Sequence, residues 1–186
     1  MEERTLEITK DFIRFSDDKF QVMNRWEESL MLKKAQWVCE NGGNILEIGF
    51  GMGISANFIQ QQNIKTHTIC EIHPQIIDRL NEWNKDKNNV RILEGDWYDN
   101  TSQMEKYDGI LFDTHDDPHY PNFFEEIVDK IANPNCKVTW WNNLYREDNR
   151  RFKIHKNSEW ERIEVDPPKN TYFNNKIYFM PKYTHK

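Results

Sequence analysis

Three glycines within five residues, Gly49, Gly51 and Gly53 of "ILEIGFGMG" (45–53), stand directly behind an apolar run. Glycine permits a tight turn and lets a ligand touch the main chain. If the apolar run is a strand and a helix follows, the turn lies at the carboxyl end of a parallel sheet, where nucleotide-like ligands bind. Dinucleotide sites use GxGxxG, whereas the spacing here is GxGxG, with Met52 and Ile54 near the place of the third glycine. The glycines alone leave a dinucleotide and S-adenosylmethionine both open. Three further features favour S-adenosylmethionine. Glu47, inside the strand, suits a ligand with a cationic amino-acid end. Glu71, ending the next strand, is placed to hydrogen-bond two ribose hydroxyls, and Asp96 and Trp97, after a third strand, to bracket an adenine.

Two carboxylates point to the other substrate. A long amphipathic helix over about residues 20–40 places Met23, Trp26, Leu30, Met31, Trp37 and Val38 in one apolar arc, with Glu27 in its middle and Glu28 well outside it. A carboxylate on an apolar face is costly unless a cation or donors meet it. Lys34, one helical row away, offers a structural ion pair; an open pocket offers a ligand. Asp113 closes "GILFD" at the carboxyl edge of a strand, as a loop cap or beside the glycine turn. Two carboxylates converging beside a methyl donor suggest a cationic, nitrogen-bearing acceptor, and guanidinium is the group that two carboxylates hold best. Its pKa lies above about 12, so a base must take the proton as the nitrogen attacks. On this reading Asp113 is the general base, Glu27 fixes orientation, and Trp26 and Met31 wall the site.

The elements that must hold these residues alternate along the chain. "NILEIGF" (44–50), "THTICEI" (66–72), "NVRILEG" (89–95), "YDGILFD" (107–113) and "CKVTWW" (136–141) read as strands. Helical spacings lie between them, one opening at Pro74 and one carrying Phe123, Phe124, Ile127, Val128 and Ile131. That order predicts a mostly parallel α/β sheet with helices on both faces. "EWERIEV" (159–165) and "KIYFMP" (176–181) have no helix between them and predict an antiparallel hairpin, seven strands in all. The 186 residues are expected to form a single domain, a helical segment over 1–43 and a core over 44–186.

Charge and cysteines narrow the setting. A net charge of −6 argues against nucleic acid as a partner. Cys39, Cys70 and Cys136 show no CxxC pairing, which reads as a reducing compartment. With no apolar run of membrane-spanning length and a polar start, "MEERTLEITK", a soluble cytoplasmic protein is expected.

The segments "MNRWEESLM" (23–31), "ILEIGFGMGISANFIQ" (45–60), "HTICEIHPQII" (67–77), "NVRILEGDWYD" (89–99) and "YDGILFDTH" (107–115) resemble the guanidino N-methyltransferases. That family includes guanidinoacetate N-methyltransferases and the type IV protein arginine δ-N-methyltransferases. The resemblance implies a Rossmann-like class I methyltransferase fold with S-adenosylmethionine as cofactor. By position it implies that Glu27 and Asp113 hold the guanidine, that Glu71 binds ribose, that Gly49 and Gly51 form the cofactor turn and that Trp97 lies at the adenine. His115 stands where the family often has tyrosine, and Asn142 and Asn143, in "WWNNLYRED" (140–148), where members supply substrate contacts. The expected partner is a small guanidine or an arginine-containing peptide, with neither nucleic acid nor membrane; a homodimer stays open. The rival readings are a metal-dependent O-methyltransferase using Asp113, His115, Asp116, Asp117 and His119, and a non-catalytic S-adenosylmethionine-binding protein. No metal is expected, because neighbouring residues in a Pro-containing loop rarely share one ion.

Overall fold

The computed structural model describes residues 4–144, 146–147 and 152–186. The chain starts with three short strands, β1 (Leu6–Ile8), β2 (Phe12–Phe15) and β3 (Gln21–Asn24), paired antiparallel in that order. This corrects the helical expectation for residues 1–43. The helix expected over 20–40 is shorter as well: Arg25–Glu27 make one 3-10 turn and α1 occupies Glu28–Val38. Two contacts fix the boundary. Residues 21–24 are engaged in pairing with β2, so Met23 belongs to a strand. Glu27 then turns back, and its Oε1 accepts the Asn24 N–H at 2.9 Å, as the acid of a capping box does.

The main sheet follows the sequence pattern. β4 (Asn44–Ile48), β5 (Thr66–Glu71), β6 (Val90–Glu94), β7 (Tyr107–Phe112) and β8 (Ala132–Trp140) pair parallel with one another. α2 (Ile54–Gln60) and α3 (Pro74–Trp83) connect the first of them. Before β8, α4 (Tyr120–Asn122), a π-helical stretch (Phe123–Ile127) and α5 (Val128–Ile131) run on as one helical segment. α6 (Lys153–Lys156) precedes β9 (Glu159–Glu164), and β10 (Ile177–Thr184) ends the fold. The strand order is β6-β5-β4-β7-β8-β10-β9. β10 lies between β8 and β9 and is antiparallel to both, so the expected hairpin enters the sheet by its second strand.

The order reverses at β4, with β5 on one side and β7 on the other. Such a reversal opens a crevice beyond the carboxyl ends of the strands. The small N-terminal sheet closes part of it: Leu6 and Ile13 pack in one apolar cluster with Phe50, which follows β4, and with Ile76 and Leu80 of α3. No helix among the described residues is long and apolar enough to cross a membrane. All three cysteines are buried and unpaired by disulfide.

Candidate active site

A cavity of about 950 Å³ occupies the crevice. One wall consists of the turns that follow β4, β5 and β6 and carries Gly49, Gly51, Ser55, Glu71, Asp96 and Trp97. The facing wall comes from more distant segments and carries Glu27, Met31, Asp113, His115, Trp141, Asn143 and Tyr172.

The glycine wall is held by main-chain groups. Gly49 has φ +93°, and a Cβ there would lie 2.1 Å from the carbonyl oxygen of Asp113. Its bareness thus serves the chain itself: the turn after β4 and the end of β7 touch backbone to backbone. A Cβ on Gly51 would meet the Met23 sulfur at 2.6 Å. Gly53 caps α2 against the Phe50 ring and lies outside the cavity lining. Glu71 ties the wall together, with Oε2 accepting the Phe50 N–H at 2.8 Å and Oε1 accepting those of Ile72 and His73 at 2.9 Å. Asp96 Oδ1 accepts the Tyr98 N–H at 2.8 Å. The indole of Trp97 donates to Asp117 at 2.7 Å and sets its edge against Phe112 and Phe123.

Glu47 departs from expectation. It is fully buried beneath the wall, bonded to the Ser55 hydroxyl and 2.9 Å from His67 Nε2, and does not line the cavity. Its neighbour Ser55 lines the cavity in its place. Trp26 and Asn142 are also outside the lining. Trp26 stacks 5.8 Å from Phe173, and Asn142 donates to the carbonyls of Phe179 and Arg146 at 3.0 and 3.1 Å. Asn143 and Met31 do line the cavity. His115 lies between Phe15 and Phe20 of the N-terminal segment, 5.8 and 5.4 Å away, and burial lowers its pKa.

On the acid wall Glu27 is 3% exposed. Its Oε1 accepts the Asn24 N–H and also the hydroxyl of Tyr172, from the loop before β10. Burial first, and then the negative charge of Asp113, raise its carboxyl from 4.5 to about 7. The ion pair offered by Lys34 goes elsewhere: its ammonium, 0% exposed, donates to Asp113 Oδ2 at 2.9 Å. That ammonium lies 4.8 Å over the Trp141 ring and 5.7 Å from that of Tyr178. Burial pulls its pKa down, but Asp113, Tyr178 and Glu27 outweigh burial, and the result lies above the usual lysine value. Each acid therefore has one oxygen engaged by the protein. Glu27 Oε2 and Asp113 Oδ1 accept no hydrogen bond among the described residues.

Tyr172 was not among the expected site residues, and Lys34, offered as the alternative partner of Glu27, pairs with Asp113. Tyr172 carries no local signal, lying in an aperiodic loop 145 residues from the acid it serves. Among the described residues no group of three or more His, Cys, Asp or Glu side chains could hold a metal ion. The loop after β7 disperses its groups: Asp113 to Lys34, His115 to two phenylalanines, Asp117 to Trp97 and the His119 amide.

A family model described as guanidinoacetate N-methyltransferase matches residues 18–148. Protein arginine N-methyltransferase 2 of Candida glabrata is 29% identical over 208 residues, covering 95% of this chain and 50% of the relative. Its namesake from Kluyveromyces lactis is 32% identical over 152 residues, 75% of this chain and 37% of the relative. The chain thus spans half or less of these two relatives. Among solved structures, the N-methyltransferase NodS of Bradyrhizobium japonicum, in complex with S-adenosyl-L-homocysteine, matches with a TM-score of 0.62 at 14% identity, covering 91% of this chain and 89% of that one.

Proposed function

The chain belongs to the guanidinoacetate N-methyltransferase family, and from that premise we propose that it methylates a guanidino nitrogen. The acceptor is arginine, guanidinoacetate or a related guanidine, free or in a peptide, and the donor is S-adenosylmethionine. One observation carries this reading: two carboxylates, Glu27 and Asp113, line the same cavity as the glycine turn and Glu71.

The glycine wall fits the donor. Three short N–H bonds occupy Glu71, and the Gly51 N–H approaches only to 3.5 Å. A carboxylate has about four acceptor sites, which leaves one for a ribose hydroxyl. Asp96 and Trp97 stand beside it for the adenine, and Ser55 lines the route to the amino-acid end. When bound, S-adenosylmethionine supplies a methyl group on a sulfonium and leaves as a neutral thioether. The acid wall must then bring a second cation against the first. Glu27 and Asp113 each offer one free oxygen, so a guanidinium is gripped at two N–H groups and fixed in the plane the two acids define. Positioning two mutually repelling cations in a partly dehydrated site is where most of the acceleration arises. Met31 and Trp141 exclude water around them. Buried cysteines without a disulfide support a reducing, cytoplasmic setting.

Mass spectrometry of the protein incubated with S-adenosylmethionine and guanidinoacetate, arginine or N-acetyl-arginine amide tests the reading. One methyl is expected on a guanidino nitrogen, with the rate unchanged by EDTA. Methylation of none of the three by a protein that binds S-adenosylhomocysteine would sink it. A catechol methylated only when Mg²⁺ is restored would favour the O-methyltransferase alternative.

A further inference from the structure

Three polar residues lie in a row beneath the glycine wall. Ser55 of α2 lines the cavity, Glu47 of β4 lies behind it, and His67 of β5 behind that. β4 and β5 pair Glu47 with Ile69, so His67 is its diagonal neighbour on the same face. Glu47 and His67 are fully buried and Ser55 is nearly so. A buried carboxylate is costly unless donors meet it, and here few do. The Ser55 hydroxyl donates to Glu47 Oε1. Oε2 and His67 Nε2 stand 2.9 Å apart without an aligned hydrogen bond, and neither has another partner among the described residues. On the far side of the ring, the Gln60 amide nitrogen lies 3.2 Å from Nδ1. That nitrogen can only donate, so Nδ1 carries the lone pair and Nε2 carries the hydrogen, on the side of Glu47.

This arrangement fixes the polarity of one hydroxyl. A serine has one hydrogen to give and two lone pairs with which to receive. A buried carboxylate with a single hydrogen-bond donor holds that donor firmly, since losing it would leave the charge unmet. The hydrogen of Ser55 therefore points inward to Glu47, and its oxygen can show the cavity lone pairs only. Such an oxygen accepts from an ammonium and repels a carboxylate.

We propose that Ser55 receives the α-ammonium of S-adenosylmethionine and not its carboxylate, and that Glu47 and His67 are positioning residues that set the direction of its hydroxyl. This rests on the donor and is independent of which acceptor is methylated. Glu47 thus serves the cationic amino-acid end through Ser55 rather than by contact.

Titration calorimetry with two ligands tests it: S-adenosylhomocysteine and its deaminated analogue, in which hydrogen replaces the α-amine. Ser55→Ala should weaken the first by roughly 10-fold or more and leave the second unchanged. Equal losses for both ligands, or a loss for neither, overturn the proposal. Glu47→Gln should reverse the polarity. The Nε2 hydrogen of His67 draws the new amide oxygen, the amide NH2 turns to Ser55, and the serine hydrogen swings out to the cavity. S-adenosylhomocysteine should then bind at least as weakly as it does to Ser55→Ala, and the double variant should be no weaker than the weaker single one. Additive losses would show that Glu47 does not act through Ser55. A gain in affinity in Glu47→Gln would put Ser55 at the carboxylate and overturn the proposal. If Glu47→Gln does not fold, the two ligands on Ser55→Ala still decide which end of the amino acid Ser55 meets. A wild type that binds neither ligand would defeat the donor assignment and is scored separately.

Discussion

The two walls of the cavity are built on different principles. The glycine wall is made of three successive strand ends, and main-chain N–H groups fix it, converging on Glu71. The acid wall is gathered from the start of α1, the ends of β7 and β8 and the loop before β10, and charged or hydroxyl side chains fix it. Backbone geometry is set by the fold and shifts little when a surface side chain changes. A wall of buried charges is set by pairing, so changing one group resets the charge and the pKa of the others. Recognition of a constant donor suits the first kind of wall, and proton chemistry on an acceptor suits the second.

The walls meet at Gly49, whose Cα faces the Asp113 carbonyl, so the largest effect is expected there. Gly49→Ala combines a φ of +93° with a 2.1 Å clash against backbone that cannot swing away. Strain of this kind costs roughly 3 kcal/mol or more. Tm, donor affinity and turnover should fall together. Gly51→Ala is the milder comparison: its φ of +52° is strained for alanine as well, but its Cβ meets the movable Met23 side chain and not backbone. If calorimetry and thermal melts found the two variants equally tolerated, the walls would not be joined through Gly49.

The second effect belongs to the acid wall alone. The Glu27 carboxyl is raised from 4.5 to about 7 on folding. The folded state therefore binds its proton more tightly than the unfolded chain does. The associated stability is complete below about pH 4.5 and is lost as pH rises through about 7; the loss is about 3 kcal/mol. Glu27→Gln, which keeps an oxygen for Asn24 and Tyr172, should match the wild-type Tm at pH 5 and exceed it by several degrees at pH 8. A variant that melts lower than wild type at both pH values would mean that ionised Glu27 stabilises the fold.

On the glycine wall, Glu71→Ala should weaken S-adenosylhomocysteine binding by about 1.5–3 kcal/mol, the range for hydrogen bonds to a charged group. It should leave the pH dependence of the rate at saturating donor unchanged. Titration calorimetry that showed unchanged affinity would remove Glu71 from the donor site.

The same contrast explains what was legible in the sequence. Gly49, Gly51, Asp96 and Trp97 follow a strand within a few residues and Glu71 ends one, so strand periodicity together with the glycine spacing located their wall. Glu47 shares that local pattern, yet it lies inside the core against Ser55 and His67. Glu27 was visible as a charge on an apolar face, although the helix starts at Glu28 rather than near residue 20. The preceding residues read as helix because three- and four-residue strands are too short to establish an alternation. Lys34 was visible only as a neighbour on Glu27's own helix; its true partner is 79 residues away. Pairings across that distance depend on how strands order in the sheet, which no local pattern states.

Tyr172 gives the smallest and most specific effect. Its hydroxyl donates to Glu27 Oε1, and its ring lies between Trp26 and Trp141, so Tyr172→Phe keeps the packing and removes one bond. That bond favours the ionised carboxylate, because Glu27 can receive it most strongly when charged. Without it the Glu27 carboxyl should rise further, and the ascending limb of kcat/KM, which reports the free protein, should move to higher pH. A bond of this kind is worth about 1–2 kcal/mol, so the rate at pH 7 should fall several-fold to about tenfold. The deficit should shrink at pH 9, where Glu27 is ionised in both proteins. Donor affinity should not change, since this hydroxyl donates to Glu27 on the opposite wall. A rate loss of the same size at every pH would show that Tyr172 only shapes the acceptor pocket, and that Glu27 is charged across the whole range without its help.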